Sequence, residues 1–397
     1  MNTHNTLPAS CLLLCLALSA TATPADAQDW EARAKKDAAQ DRTVVVFDGR
    51  GSPDSMVCDT TVRELNDGSW ILYYLGGGDF EPSPDNYIAF SRSRDQGRTW
   101  GPVEILDTGL PRSGVTRAQG ATELLVTKDR CTLFFSTHSK TWGHNWKSWM
   151  MHSADNCKTW SRPEPLPGRL ADFTFIRPSI VTRDGRILLP YQHNLGPGKD
   201  APPPPPDNKP WHKELFYYVC NPRLGVLESL DGGRTWAERG DMRMSLDIKY
   251  SGWPEPSIVE LPGNKIAMLI RGPKRDGVLY YAESADGGKT WPGWPIKTAI
   301  PNPSSKVSLF SLGGGAVALL HNPNDKARRP LALWVSFDGM KTWPYRRVLL
   351  EHSRSGPKGN INYPDGFVSA DRQWLYFAYD DNRNQAVFYA AKLPSLP

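Results

Sequence analysis

One octapeptide, Ser-x-Asp-x-Gly-x-Thr-Trp, recurs five times along the 397-residue chain and limits the possible architecture more than any other feature. The copies run Ser93–Trp100 (SRDQGRTW), Ser153–Trp160 (SADNCKTW), Ser229–Trp236 (SLDGGRTW), Ser284–Trp291 (SADGGKTW) and Ser336–Trp343 (SFDGMKTW), with Cys157 and Met340 in the place that is glycine elsewhere. Each copy reads as a hairpin turn. The Asp side chain accepts hydrogen bonds from turn amides, Gly supplies a positive φ, and Thr-Trp opens the next strand, with the Trp packed between strands. Successive tryptophans are 60, 76, 55 and 52 residues apart, room for one four-stranded antiparallel sheet per repeat, the blade of a propeller. Strand-like runs fall between the turns at 70–75, 132–136, 185–190, 265–271 and 374–379. With the turn-free final segment Gly359–Lys392, the repeats predict six blades, one of them completed jointly by the first and last strands. Turn duty accounts for every repeated Asp, so none is assigned to catalysis.

Composition agrees with an all-β chain: 15 Trp, 35 Pro and 34 Gly favour turns and packed aromatic strands over helices. The first 27 residues read as a secretory signal, an apolar stretch from Cys11 to Ala20 followed by the A-x-A pattern Ala25-Asp26-Ala27. That stretch is well short of the roughly 20 apolar residues a membrane span needs. The expected product is one propeller domain, residues 28–397, secreted or periplasmic. Cys58, Cys131, Cys157 and Cys220 remain in it, an even set that either pairs in an oxidising compartment or stays as buried thiols. No two of them have C-x-x-C spacing, so no metal site or cofactor is expected. A net charge of +5 without a Lys/Arg run argues against a nucleic-acid partner. Gly196–Pro210, with five consecutive prolines, reads as a polyproline II insertion in the third repeat.

Five such turns at blade spacing resemble the Asp boxes of the sialidase (neuraminidase) superfamily, and the resemblance covers essentially the whole mature chain. It implies a six-bladed β-propeller of sialidase type with four-stranded antiparallel blades. It also implies a retaining exo-glycosidase acting on a terminal acidic sugar of a glycan, sialic acid by default. In such enzymes a neutral Tyr, rather than a carboxylate, is the nucleophile, because the substrate's own carboxylate would repel an anion. Three arginines hold that carboxylate with planar, permanently charged forks, and an acidic loop residue acts as general acid/base.

On that pattern Glu255, in Trp253-Pro254-Glu255-Pro256-Ser257, is the partner of the nucleophile, and Arg271 closes the following strand sixteen residues later. Tyr363, in Asn362-Tyr363-Pro364-Asp365, follows the last box and takes the nucleophile's place. Arg328 precedes the fifth box, with Arg329 as its competitor. The chain departs from the pattern on the first blade, where the stretch Ser55–Thr61 has no arginine; Arg177 or Arg50 is left to supply a guanidinium from elsewhere. The glycine-rich loop Gly76–Asp85 offers three carboxylates for acid/base work, Asp79 foremost, then Glu81 and Asp85. The segment Thr137–Trp146, with His138, Trp142, His144 and Trp146, interleaves imidazoles and aromatics in a way that suits sugar stacking or proton transfer. Because Asp-box propellers host several chemistries, a polysaccharide lyase, another glycosidase or a non-catalytic glycan binder remain the competing readings.

Overall fold

The computed structural model describes residues 24–139, 146–194, 222–244 and 252–396, which form six antiparallel sheets set as the blades of a propeller. The chain enters through helix α1 (Pro24–Ala38) and strand β1 (Arg42–Asp48). Blade 1 is β2 (Val57–Glu64), β3 (Trp70–Gly76), β4 (Tyr87–Ser93) and β5 (Glu104–Ile105). Blade 2 is β6 (Ala118–Val126), β7 (Cys131–His138), β8 (Lys147–Ser153) and β9 (Glu164–Pro165). Blade 3 has an inner strand split into β10 (Thr174–Ile176) and β11 (Ile180–Val181), both paired to β12 (Ile187–His193), then β13 (Arg223–Ser229) and β14 (Ala237–Arg243). Blade 4 is β15 (Pro256–Leu261), β16 (Lys265–Ile270), β17 (Val278–Ser284) and β18 (Ile296–Pro301). Blade 5 is β19 (Ser308–Gly313), β20 (Ala316–His321), β21 (Leu331–Ser336) and β22 (Tyr345–Leu350). Blade 6 is β23 (Ile361–Val368), β24 (Trp374–Asp381) and β25 (Gln385–Lys392), closed by β1, which pairs with β25 from Arg42↔Ala390 to Asp48↔Gln385. The ring is thus locked by its first and last strands, as the repeat spacing predicts.

All five octapeptides form the expected turn. In the first, Asp95 Oδ1 accepts from the Thr99 amide at 2.9 Å, its Oδ2 from the Thr99 hydroxyl at 2.6 Å, and Ser93 Oγ from the Gly97 amide at 2.8 Å. Cys157 and Met340 keep the same amide bond to Ser153 and Ser336 at positive φ of 61° and 69°, so the turn's hydrogen bonds hold a conformation that glycine adopts without strain. The Trp also packs beyond its own sheet. Trp100 meets Phe388 of blade 6 at 5.6 Å and Trp236 meets Phe134 of blade 2 at 6.1 Å, each filling the seam to the preceding blade. Trp343 is 8 % exposed among side chains of blades 4 and 5, and truncating an aromatic so placed costs about 3–5 kcal/mol.

Helix α1, absent from the sequence reading, spans the expected cleavage point after Ala27 and lies on blade 5. Trp30 stacks on Phe337 at 4.7 Å, and Tyr345 donates its hydroxyl to Asp37 at 3.0 Å. Cys58, Cys131 and Cys157 are buried free thiols. Cys220, the proline-rich stretch, Trp142 and His144 lie outside the described residues. Among the described residues no helix is long and apolar enough to cross a membrane, and no group of His, Cys, Asp and Glu is arranged to hold a metal ion.

Below the mouth of the ring, a buried polar plug ties the inner strands together. Arg63 of β2 bonds Glu123 of β6 at 2.6 Å and Asp365 of β23 at 3.1 Å. Glu123 in turn accepts from the Ser179 amide and hydroxyl, and Thr61 donates to Asp365. Burial alone would disfavour the charge on Arg63, but the two carboxylates outweigh it and hold the guanidinium firmly protonated.

Candidate active site

A cavity of about 240 Å³ opens at the ends where the inner strands begin, so each blade delivers its side chains from the start of its first strand or an adjacent turn. Tyr363 comes from β23, where the register shifts between Asn362 and Asp365 and the Tyr takes φ +51°. That conformation is strained for a residue with a Cβ and is held from several sides. Ser308 donates to the Pro364 carbonyl at 2.6 Å, Asp365 sits in the Arg63 plug, and Asn362 donates to Asp380 at 2.6 Å.

Three guanidiniums converge on Tyr363. Arg328 lies over its ring at 4.8 Å, Arg383 lies over the same ring at 5.1 Å and donates to the hydroxyl at 3.1 Å, and Arg271 lines the same cavity beside it. Arg271 and Arg328 are joined at Ser304, whose hydroxyl accepts from Arg271 Nε at 3.0 Å and whose carbonyl accepts from Arg328 Nη2 at 2.9 Å. Burial pushes the Tyr363 phenol above its ordinary range, and the charges of Arg328 and Arg271 pull against it.

Glu255, just before β15, is 4 % exposed and is clamped between two arginines: Oε1 accepts from Arg177 Nη2 at 2.9 Å and Oε2 from Arg271 Nη1 at 2.8 Å. Arg177 reaches it because the inner strand of blade 3 breaks at Arg177-Pro178-Ser179. Asp59 on β2 sits between Lys306 Nζ at 2.8 Å and Arg177 Nη1 at 3.7 Å. Burial would raise its proton affinity, yet those two cations outweigh burial and hold the carboxylate below its usual range.

Of the loop carboxylates, Glu81 lines the cavity and forms an ion pair with Arg383, whereas Asp79 and Asp85 are exposed and outside the lining, Asp85 pairing with Arg117 at 3.1 Å. Gly77 lets the loop fold this way: at φ +88° a Cβ there would meet the Asp85 carbonyl at 2.5 Å. Arg50 is exposed on Asp48, and Arg329 donates to the Lys358 carbonyl, both away from the cavity. His138 and Trp146 line the cavity from blade 2, stacked at 4.2 Å and backed by Phe173 and Phe175. Three participants escaped the sequence reading, Asp59 on β2 among them. Arg383 lies in the turn after β24, and Lys306 precedes β19; neither belongs to a repeat, and nothing in their local sequence marks them.

The comparison that decides the family is a match of residues 70–374 to the BNR repeat-like domain. The chain belongs to the BNR repeat-like proteins of the sialidase superfamily. Among relatives of this BNR repeat-like chain are a sialidase of Bacteroides fragilis (strain YCH46), 23 % identical over 364 residues, and a sialidase of Micromonospora viridifaciens, 24 % identical over 341 residues. Those alignments cover 83 % and 77 % of this chain but only 60 % and 47 % of the relatives. The solved Hadza microbial sialidase Hz136 superposes with a TM-score of 0.64 at 18 % identity, covering 88 % of this chain and 68 % of that one.

Proposed function

We propose that this BNR repeat-like propeller is a retaining exo-glycosidase that cleaves a terminal acidic sugar, sialic acid being the first candidate. The observation that carries the reading is the convergence of Arg271, Arg328 and Arg383 on one buried phenol beside Glu255. Guanidiniums bind a carboxylate through two parallel N–H donors, and burial in the cavity strengthens that contact over its worth in water. The Tyr363 oxygen bonds the anomeric carbon as the bond to the leaving oxygen breaks. Glu255 receives the phenol proton, and Glu81 gives its proton to the leaving oxygen. Water then attacks the same carbon with Glu81 as base, and Glu255 returns the proton to Tyr363. The surrounding cations favour the electron-rich oxygen that this step needs and oppose part of the effect of burial, which still leaves the phenol above its ordinary range. The signal-like N-terminus supports export of the activity from the cytoplasm.

Hydrolysis of an aryl sialoside, followed by NMR of the first-formed sugar, tests the reading. Retention at the anomeric carbon, and loss of at least about 1,000-fold in rate for Tyr363→Phe, are expected. Inversion, an ultraviolet-absorbing unsaturated product, or full activity of Tyr363→Phe would overturn it in favour of another glycosidase or a lyase.

A further inference from the structure

The first blade presents no cation to the cavity at the positions facing Tyr363. Met56 and Cys58 pack there instead, in one buried cluster with the Tyr363 ring, and burial keeps the Cys58 thiol protonated and neutral. The cation in this quadrant arrives from the opposite side of the seam. Arg383 occupies the turn between β24 and β25 at φ +62°, its amide donates to Asp380 Oδ1 at 3.2 Å, and its carbonyl accepts from the Val57 amide at 2.9 Å. The turn is therefore tethered to blade 1, and the guanidinium is aimed at three groups: the Tyr363 hydroxyl, the Cys58 sulfur at 3.0 Å, and the Glu81 carboxylate. Glu81 is the one anion among them. It stands on a loop held by Asn86, whose amide group donates to the Gly77 and Phe80 carbonyls at 2.6 and 3.1 Å.

Resting on the acidic-sugar reading above, we propose that Arg383 is the substrate-recognising cation of this quadrant and Glu81 its built-in competitor, so that an entering sugar carboxylate displaces Glu81 from Arg383. The exchange ties recognition to catalysis. A carboxylate paired with a guanidinium favours its ionised form, whereas a general acid must carry a proton. Freed from Arg383 and set near the substrate's carboxylate, Glu81 binds a proton more readily and faces the leaving oxygen. A neutral sugar leaves Glu81 paired and the acid unformed. The other two guanidiniums are held differently: Arg271 pairs with Glu255, which Arg177 also clamps, and among the described residues the hydrogen bonds of Arg328 go to the neutral Asn362 and Ser304 oxygens.

Calorimetric titration with the 2,3-unsaturated analogue of sialic acid and with its methyl ester separates the possibilities, because the ester keeps the sugar framework but lacks the negative charge. Glu81→Gln is expected to tighten the acid about 10-fold, and Arg383→Met to weaken it about 100-fold, with the ester changed less than about 3-fold by either. In the double variant the tightening disappears. Acid affinity that is unchanged or lower in Glu81→Gln, or unchanged in Arg383→Met while Arg271→Met loses it, overturns the exchange and leaves the acidic-sugar reading standing. Equal affinity of the wild type for acid and ester, insensitive to Arg271→Met, overturns both. Thermal melts check that each variant is folded; if Arg383→Met is not, Glu81→Gln decides alone, since that loop carboxylate can be neutralised without emptying the cavity wall.

Discussion

Arg271 and Arg177 grip opposite oxygens of one carboxylate, Glu255, at 2.8 and 2.9 Å, although they belong to different blades. The consequence is that Glu255 is fixed in position and each arginine is oriented by it. Burial would weaken the charge on Arg271, but the Glu255 carboxylate beside it outweighs burial and raises its proton affinity.

Arg271→Lys keeps the charge but loses the planar fork that bonds Glu255 and Ser304 together. Binding of the acidic analogue should weaken by about 10- to 100-fold, the range expected for losing a charge-assisted hydrogen bond. Calorimetry checks it, and an unchanged affinity would remove Arg271 from the anion site.

The box aspartates should affect stability alone. Asp338 accepts from Thr342 through both its oxygens at 2.9 and 2.6 Å, so Asp338→Ala should cost about 1–3 kcal/mol in chemical denaturation while leaving activity per folded molecule unchanged. A folded Asp338→Ala protein without activity would show that the boxes do more than turn the chain.

A pH-dependent element lies under the site. Burial pushes the Asp380 carboxyl up to about 7, although Asn362, the Arg383 amide and the charge of Arg328 pull it down, and Asp59 adds a little in the same direction as burial. Its folded-state proton affinity exceeds the unfolded value, so the stability it contributes is complete below about pH 4 and is lost as pH rises through about 7. Asp380→Asn should therefore melt at a higher temperature than the wild type at pH 8 and lose much less stability between pH 5 and pH 8. Parallel pH profiles for the two proteins would place the proton elsewhere.

The fold was legible because the blade repeat is local: Ser, Asp, Gly and Thr of one box satisfy one another, so each turn is written in eight consecutive residues. Seam packing of the box tryptophans was not, since it depends on the neighbouring blade. In the site, Glu255, Arg271, Arg328 and Tyr363 could be picked out through the resemblance to sialidases, which puts such residues at set places relative to a box or strand. The structure brings these four together with Arg177. Which loop carboxylate faces the cavity was harder to read. Asp79 and Glu81 share one glycine-rich loop, and its fold, permitted by Gly77 and held by Asn86, turns Glu81 inward while Asp79 faces solvent. Arg383 could not be read at all, because the Val57–Arg383 hydrogen bond that brings its turn over Tyr363 joins residues from opposite ends of the chain.

Trapping the covalent intermediate tests the central claim, that Tyr363 is the nucleophile, most directly. A fluorinated acidic glycosyl donor slows the second half of a retaining reaction, so brief incubation followed by peptide mass spectrometry should find the sugar attached to the peptide carrying Tyr363. Tyr363→Phe should remain unlabelled, and Glu255→Gln should label far more slowly. Attachment to another residue, or wild-type turnover of the parent sugar with no adduct formed at Tyr363, would contradict the assignment.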